Sequence, residues 1–434
     1  MSISPARRAA FDALLRVERE DAYAVELLHS TKLDQLSAAD RGLATEIVMG
    51  SLRWQGVLDH VLAPHLSRAI DRLDAEVRVA LRIGAYQLLY LERVPAHAAV
   101  SESVELVRRA RKHSAAPLTN AVLRKIAQSK PEIANANELA HPAWLVERWR
   151  KNYGFDAAAQ ICEYDQQAPD TALRLSAPEV ERELAAEGVE LAPGRLLTSA
   201  RRLRGGTLQN TRAFRECRIA AQDEGSQLVA LLAGRAHTIL DCCAAPGGKT
   251  ALLAERNPQA RIVALELHPH RARLLRERVM HANVEVRTED ATKLEGAAQF
   301  ECVLADVPCS GTGTLARNPE IRWKLKPADI DDLQKRQKQI LRAALMQVVP
   351  GGRLVYSTCS LEPEECEDVV HAVLANTREF TLLPCAAELQ RLRDAGELVW
   401  EDTSSLVRGE FLRTLAGVHP CEGFFAAIIK RAGN

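Results

Sequence analysis

Several things are missing from this sequence. No apolar run approaches the ~20 residues of a membrane-spanning helix, and residues 1–8 carry no apolar signal segment. A cytoplasmic protein without a membrane partner is therefore expected. None of the ten cysteines belongs to a C-x-x-C pair, which removes zinc-ribbon spacing, and no metal site is expected. In a reducing compartment these cysteines should be free thiols. Neither sign of charge is in excess, with 57 Lys plus Arg against 57 Asp plus Glu. Net charge thus makes no case for nucleic acid, but it leaves room for a local basic face. Internal repeats and low-complexity tracts are absent. What remains is a 434-residue chain, 47% apolar, long enough for two or three domains with sizeable cores. Such a composition excludes a disordered chain, a collagen-like chain and a small disulfide scaffold.

Apolar periodicity divides the chain into three regions. Residues 1–130 read as an all-α domain of successive helices, one of them opened by Ser37 as N-cap with Asp40 in its first turn. Residues 131–140 read as a linker. Residues 141–215 fit a small α+β subdomain, with a strand near 171–176, a helix over 178–188 and a basic turn at 201–206. Over 216–434 strands alternate with helices, the candidate strands being 237–243, 261–267, 284–287, 300–307, 352–357, 380–383 and 424–430. That alternation implies an α/β doubly wound, Rossmann-like domain whose parallel sheet is covered on both faces. Ligands of such sheets bind beyond the carboxyl ends of the strands.

The first of these strand ends carries Asp241-Cys-Cys-Ala-Ala-Pro-Gly-Gly-Lys-Thr250. Small residues and two glycines let backbone approach a ligand closely at a helix start. The spacing is neither that of a phosphate-binding Walker loop nor G-x-G-x-x-G. By itself the turn is also readable as a plain tight turn. Glu266 follows the second strand, where a carboxylate suits a ribose diol. Asp290 follows the third and could reach an adenine. Each acid alone is more often a solvated loop residue. Together the three describe a site for an adenosine-bearing cofactor without a pyrophosphate loop, and S-adenosylmethionine (S-adenosyl-L-methionine) fits better than NAD. The expected cofactor-binding residues are Cys243, Ala244, Ala245, Pro246, Gly247, Gly248, Lys249, Glu266, Asp290 and Asp306.

Asp306-Val-Pro-Cys-Ser-Gly-Thr-Gly-Thr314 follows the fourth strand, and Tyr356-Ser-Thr-Cys-Ser360 follows the fifth. In a doubly wound sheet these strands are neighbours, about 4.8 Å apart, so Cys309 and Cys359 should share one pocket. Backbone N–H groups at such turns can lower a thiol pKa. A lone cysteine is more often a small core residue, which is the expectation for Cys162, Cys217, Cys302, Cys366, Cys385 and Cys421.

These segments, with Gln222-Asp-Glu-Gly-Ser-Gln227, Ser357-Thr-Cys-Ser-Leu-Glu-Pro-Glu-Glu and Gly423-Phe-Phe-Ala-Ala-Ile-Ile-Lys430, resemble the motifs of RNA cytosine-5 methyltransferases of the Nop2/Sun family. The match covers about half the chain. The helical region resembles the antitermination factor NusB, and the fusion resembles bacterial members that act on small-subunit (16S) ribosomal RNA. Two positions depart from the family pattern. Glu266 stands where Asp is usual, and Gly417-Val-His-Pro-Cys-Glu-Gly423 replaces a Thr/Ser-Asp-Gly type of run. The resemblance implies attack on cytosine carbon 6 by Cys359, release aided by Cys309, and support of charge at nitrogen 3 by Asp306. Sequence physics alone does not divide the two thiol roles. The implied partner is small-subunit ribosomal RNA, with the target base extruded from its stack, and a monomer is expected. Arg108, Arg109, Arg111, Arg201, Arg202 and Arg204 are candidate phosphate contacts, though a solvated helix end explains the first three equally well. Two other enzyme readings are a cytosine-5 methyltransferase acting on another RNA and a DNA enzyme; the second thiol and the helical region count against DNA. A non-catalytic RNA-binding or antitermination-type factor is a further alternative, but a scaffold needs neither thiol.

Overall fold

Ser37 opens a helix as its position suggests: its hydroxyl accepts the Asp40 N–H at 3.1 Å, and helix Ala38–Arg53 follows. The structure is a computed structural model that describes residues 3–20, 22–28, 33, 35–129 and 131–433. Pro5–Arg19, Gln55–Leu62, Ala75–Tyr90, Ala96–Arg109 and Ala116–Ser129 are also helical. Their apolar faces meet in one core containing Phe11, Ile47, Leu81, Ile83, Leu106 and Leu123. The chain divides into two units, 1–168 with 315–324, and 169–314 with 325–434. Residues 141–168 form helices Ala143–Tyr153 and Phe155–Tyr164 within the first unit. The segment 131–140, expected as a linker, contains the short helix Ala136–Leu139. Inside this unit the buried Arg322 donates to the carbonyls of Ala140, Asp165 and Leu315 at 3.2–3.4 Å.

The second unit holds two sheets. The smaller comprises β1 (Ala172–Leu175), β2 (Glu190–Pro193), β3 (Ala200–Gly205) and β4 (Ile219–Ala221), antiparallel in the order β2-β3-β1-β4. The arginine run expected as a basic turn is therefore strand β3. Its backbone is paired on both sides, and that tertiary pairing overrides the local glycine signal at its end.

The larger sheet has nine strands among the described residues: β5 (Thr238–Asp241), β6 (Arg261–Leu265), β7 (Val284–Arg287), β8 (Phe300–Asp306), β9 (Val348–Thr358), β10 (Phe380–Leu383), β11 (Val407–Arg408), β12 (Phe411–Arg413) and β13 (Phe425–Arg431). The order is β11-β12-β13-β9-β8-β5-β6-β7, and β10 pairs with β13. Strands β5 to β9 are parallel, as expected. The rest corrects the all-parallel expectation: β13 runs antiparallel to β9, and β10, β11 and β12 continue antiparallel. Links between β11, β12 and β13 carry no crossover helix, and without one a chain returns antiparallel. Side chains alternate strictly between two cores. Ile239, Leu304, Val355 and Ile428 face one; Leu240, Val303, Leu354 and Ile429 face the other. Burial on both faces explains why these strands read as continuous apolar runs.

Candidate active site

The site lies at the carboxyl ends of β5, β6, β8 and β9. Asp241 ends β5, fully buried, and its Oδ2 accepts the Thr250 hydroxyl at 2.7 Å. Burial pushes its carboxyl up to about 6, against the opposing Thr250 hydrogen bond. The chain then turns through Cys243, Ala244, Ala245, Pro246 and Gly247 into helix Gly248–Arg256. Gly247 has φ +109°, and a Cβ there would stand 2.6 Å from Val279 and 2.8 Å from Leu275, so only glycine closes this turn. Lys249 reaches back to Asp306, Nζ to Oδ2 2.7 Å, and sits 5.3 Å from the centre of the Phe424 ring. Burial would lower the Lys249 pKa, but Asp306 and the nearby Cys359 outweigh it and hold the ammonium above its ordinary value. Glu266, at the end of β6 and only 5% exposed, accepts the His268 N–H at 2.9 Å on Oε1. Its Oε2 lies 3.7 Å from Arg271. Asp290, beyond β7, caps the turn Ala291–Lys293 by accepting the Thr292 N–H and hydroxyl, which hold its carboxyl below the usual range.

Strands β8 and β9 bring the remaining groups together. Asp306 and Ser357 are partners in register, and the Ser357 hydroxyl donates to Asp306 Oδ1 at 2.7 Å. Asp306 thus holds an ammonium on one oxygen and a hydroxyl on the other. Just past this pair, the Cys309 and Cys359 sulfurs stand 3.3 Å apart. The lowered thiol pKa expected at these turns does not hold for Cys309. Its hydrogen bond with Cys359 and its burial push it well above the ordinary value, outweighing the Gly311 N–H.

Residues 229–430 match the family 16S rRNA methyltransferase RsmB/F, residues 4–128 the NusB family, and residues 141–207 the RsmF/B-like ferredoxin-like domain. The probable ribosomal RNA small subunit methyltransferase B of Bacillus subtilis is 34% identical over 457 aligned positions, covering 100% of both chains. The chain belongs to the 16S rRNA methyltransferase RsmB/F family. The ribosomal RNA small subunit methyltransferase B of Xanthomonas campestris is 32% identical, covering 91% of this chain and 89% of its own. Among solved structures, PH0851 is 26% identical with TM-score 0.81, covering 99% of this chain and 100% of that one.

RsmB/F enzymes use S-adenosylmethionine, and the residues present fit it. Glu266 Oε2 is ion-paired with Arg271 at 3.7 Å but lies beyond hydrogen-bond distance of it, which leaves this oxygen able to accept from a diol. Gln222 Oε1, buried and without a hydrogen-bond partner, lies over Gly248, an acceptor awaiting a donor. Sequence reasoning did not single out Ser357, Gln222 or Phe424. Ser357 was legible in principle, because a residue paired in register with Asp306 must be its neighbour; the other two meet the site only through tertiary packing.

Five of the six arginines offered as phosphate contacts already pair with an acid. Arg108 pairs with Glu105, Arg109 with Asp12, Arg201 with Glu181, and both Arg202 and Arg204 with Asp170. Arg111 takes a left-handed backbone, φ +61°. Five of the six cysteines expected as core residues are buried; Cys217 departs, half-buried at φ +53°.

Proposed function

We propose that this protein methylates carbon 5 of a cytosine in small-subunit ribosomal RNA through a covalent cysteine adduct. The observation that carries this reading is the 3.3 Å separation of Cys309 and Cys359 beside the Lys249–Asp306 pair. Carbon 5 of cytosine is a poor nucleophile. Addition of the Cys359 thiolate to carbon 6 forms a C–S bond and makes carbon 5 enamine-like, one hard step split into easier ones. The displaced electron pair builds negative charge at nitrogen 3, which takes a proton there, with Asp306 in its acid form as the donor. S-adenosylmethionine supplies the electrophilic methyl group when bound; Gly247, Gly248, Glu266 and Asp290 would hold it. Once carbon 5 carries the methyl, its proton must leave so that the C–S bond can break, and Cys309 serves this release.

The family and the names of its relatives support a ribosomal target over a DNA one. The helical region would contribute shape and phosphate contacts. On a denaturing gel, Cys309→Ala should trap an RNA–protein adduct and Cys359→Ala none. The reverse pattern would overturn the roles, and no adduct from either variant would overturn the covalent mechanism. Mapping 5-methylcytosine in a strain lacking the protein should show one lost site on small-subunit RNA.

A further inference from the structure

The loops that follow β8 and β9 each carry a Cys-Ser dipeptide, Cys309-Ser310 and Cys359-Ser360, and one side chain holds both serines. Glu365 is completely buried. Its Oε1 accepts the Ser310 N–H at 2.8 Å and the Gln337 amide at 2.9 Å. Its Oε2 accepts the hydroxyls of Ser360, at 2.5 Å, and Ser310. The two hydroxyls are 3.1 Å from one another. Beyond Val307 N–H to Ser357 O at 3.0 Å the regular ladder of β8 and β9 ends, and the two tips are joined again only at Gly313 N–H to the Cys359 carbonyl, 2.9 Å, and through side chains, among which Glu365 makes the most bonds. Glu365 is itself anchored, because Tyr356 donates its hydroxyl to the Glu365 carbonyl at 2.7 Å.

We propose that Glu365 is a positioning residue that clamps the two cysteine-bearing tips at the separation the two-thiol chemistry needs. The inference rests on the proposed covalent mechanism. Packing alone does not call for a carboxylate here. A buried acid is costly unless fully bonded, and an apolar side chain of similar volume often serves stability as well or better. What an apolar residue could not do is hold two separate loop tips through directed bonds on both oxygens. The charge of Glu365 adds to the Cys359 hydrogen bond and to burial in raising the Cys309 thiol.

The test compares Glu365→Gln with the wild type. The amide keeps the shape but removes the charge: its NH2 either faces the Ser310 N–H and the Gln337 amide, both donors, or makes the two serine hydroxyls turn from donors into acceptors, so the charge-assisted clamp is weakened. A sulfur displaced by a fraction of an ångström should lower kcat roughly 30–100-fold while KM for RNA and for S-adenosylmethionine changes less than about twofold. Alkylation of Cys309 by iodoacetamide, followed by peptide mass spectrometry, should become severalfold faster near neutral pH and shift its profile to lower pH. Glu365→Asp should recover part of kcat. Should Glu365→Gln fail to fold, Ser360→Ala removes one arm alone and should lose roughly 5–10-fold in kcat at unchanged KM. A kcat within twofold of wild type, or one that falls only with the folded fraction while the Cys309 profile stays put, overturns the clamp. Cys309→Ala run in parallel separates the failures. Without an RNA adduct from it or from Cys359→Ala the covalent reading falls; with an adduct present and Glu365→Gln unchanged, only the clamp falls.

Discussion

Gly313→Ala is the sharpest probe of how tightly the two loops are packed. Gly313 N–H donates to the Cys359 carbonyl at 2.9 Å, and the Gly423 N–H donates to the Gly313 carbonyl at 2.8 Å. One residue of the Cys309 loop therefore touches the Cys359 tip and the entry to β13. Gly313 does not have a positive φ, so alanine is allowed by its backbone. The added Cβ is the whole perturbation: it would stand 2.2 Å from the Gly423 carbonyl oxygen and 2.8 Å from the Cys359 carbonyl oxygen. Both neighbours are main chain and cannot swing aside. Reaching 3.0 Å, a limit real Cβ contacts essentially never cross, needs a shift of about 0.8 Å. Overpacking of this kind costs about 1–3 kcal/mol of stability. A shift near 1 Å at reacting atoms costs on the order of 100-fold in rate, or ~2.7 kcal/mol of barrier. The assay is transfer of labelled methyl from S-adenosylmethionine to RNA, with a thermal melt on the same sample. A Gly313→Ala protein that melts a few degrees low and loses kcat about 100-fold meets the expectation. One that stays folded and keeps kcat within threefold would refute the reasoning that backbone packing at Gly313 helps hold the two loops, and so the two sulfurs, in place.

The buried acid Asp241 makes a pH prediction. Its folded value of about 6 lies above the ordinary 3.8. Between these values the folded state holds a proton that the unfolded state has lost, so stability falls as pH rises through the window, by on the order of 3 kcal/mol. Denaturant titrations at pH 4, 5, 6 and 7 should show Asp241→Asn gaining on the wild type up to about pH 6; a flat difference would sink the argument. Glu266→Ala should weaken S-adenosylmethionine binding about 10- to 100-fold by calorimetry, since a hydrogen bond to a charged group contributes ~1.5–3 kcal/mol. Unaltered affinity would remove Glu266 from the cofactor site.

Helix after helix to residue 130 and the strand–helix alternation from 216 were legible because burial imposes periods of 3.6 and 2 on the side chains. The strand-end glycines, acids and cysteines were legible for a related reason: in a parallel sheet the carboxyl ends form one edge, so residues far apart in sequence share a site. Less was legible where the deciding partner lies elsewhere in the chain. The arginines over 201–204 look like a turn locally and form a strand because β1 and β2 flank it. The antiparallel half of the large sheet depends on links too irregular to show a period.

Chemical identity was in the sequence alone: which side chains end which strands, hence a methyl-donor site with two thiols and an acid. Only tertiary structure decided their electrostatics and their spacing. The 3.3 Å between sulfurs, the raised Cys309 thiol and the carboxylate of Glu365 on both serines arise where two loops leave the β-ladder and pack on each other. Burial and neighbouring charge are properties of that packing, and no stretch of local sequence carries them.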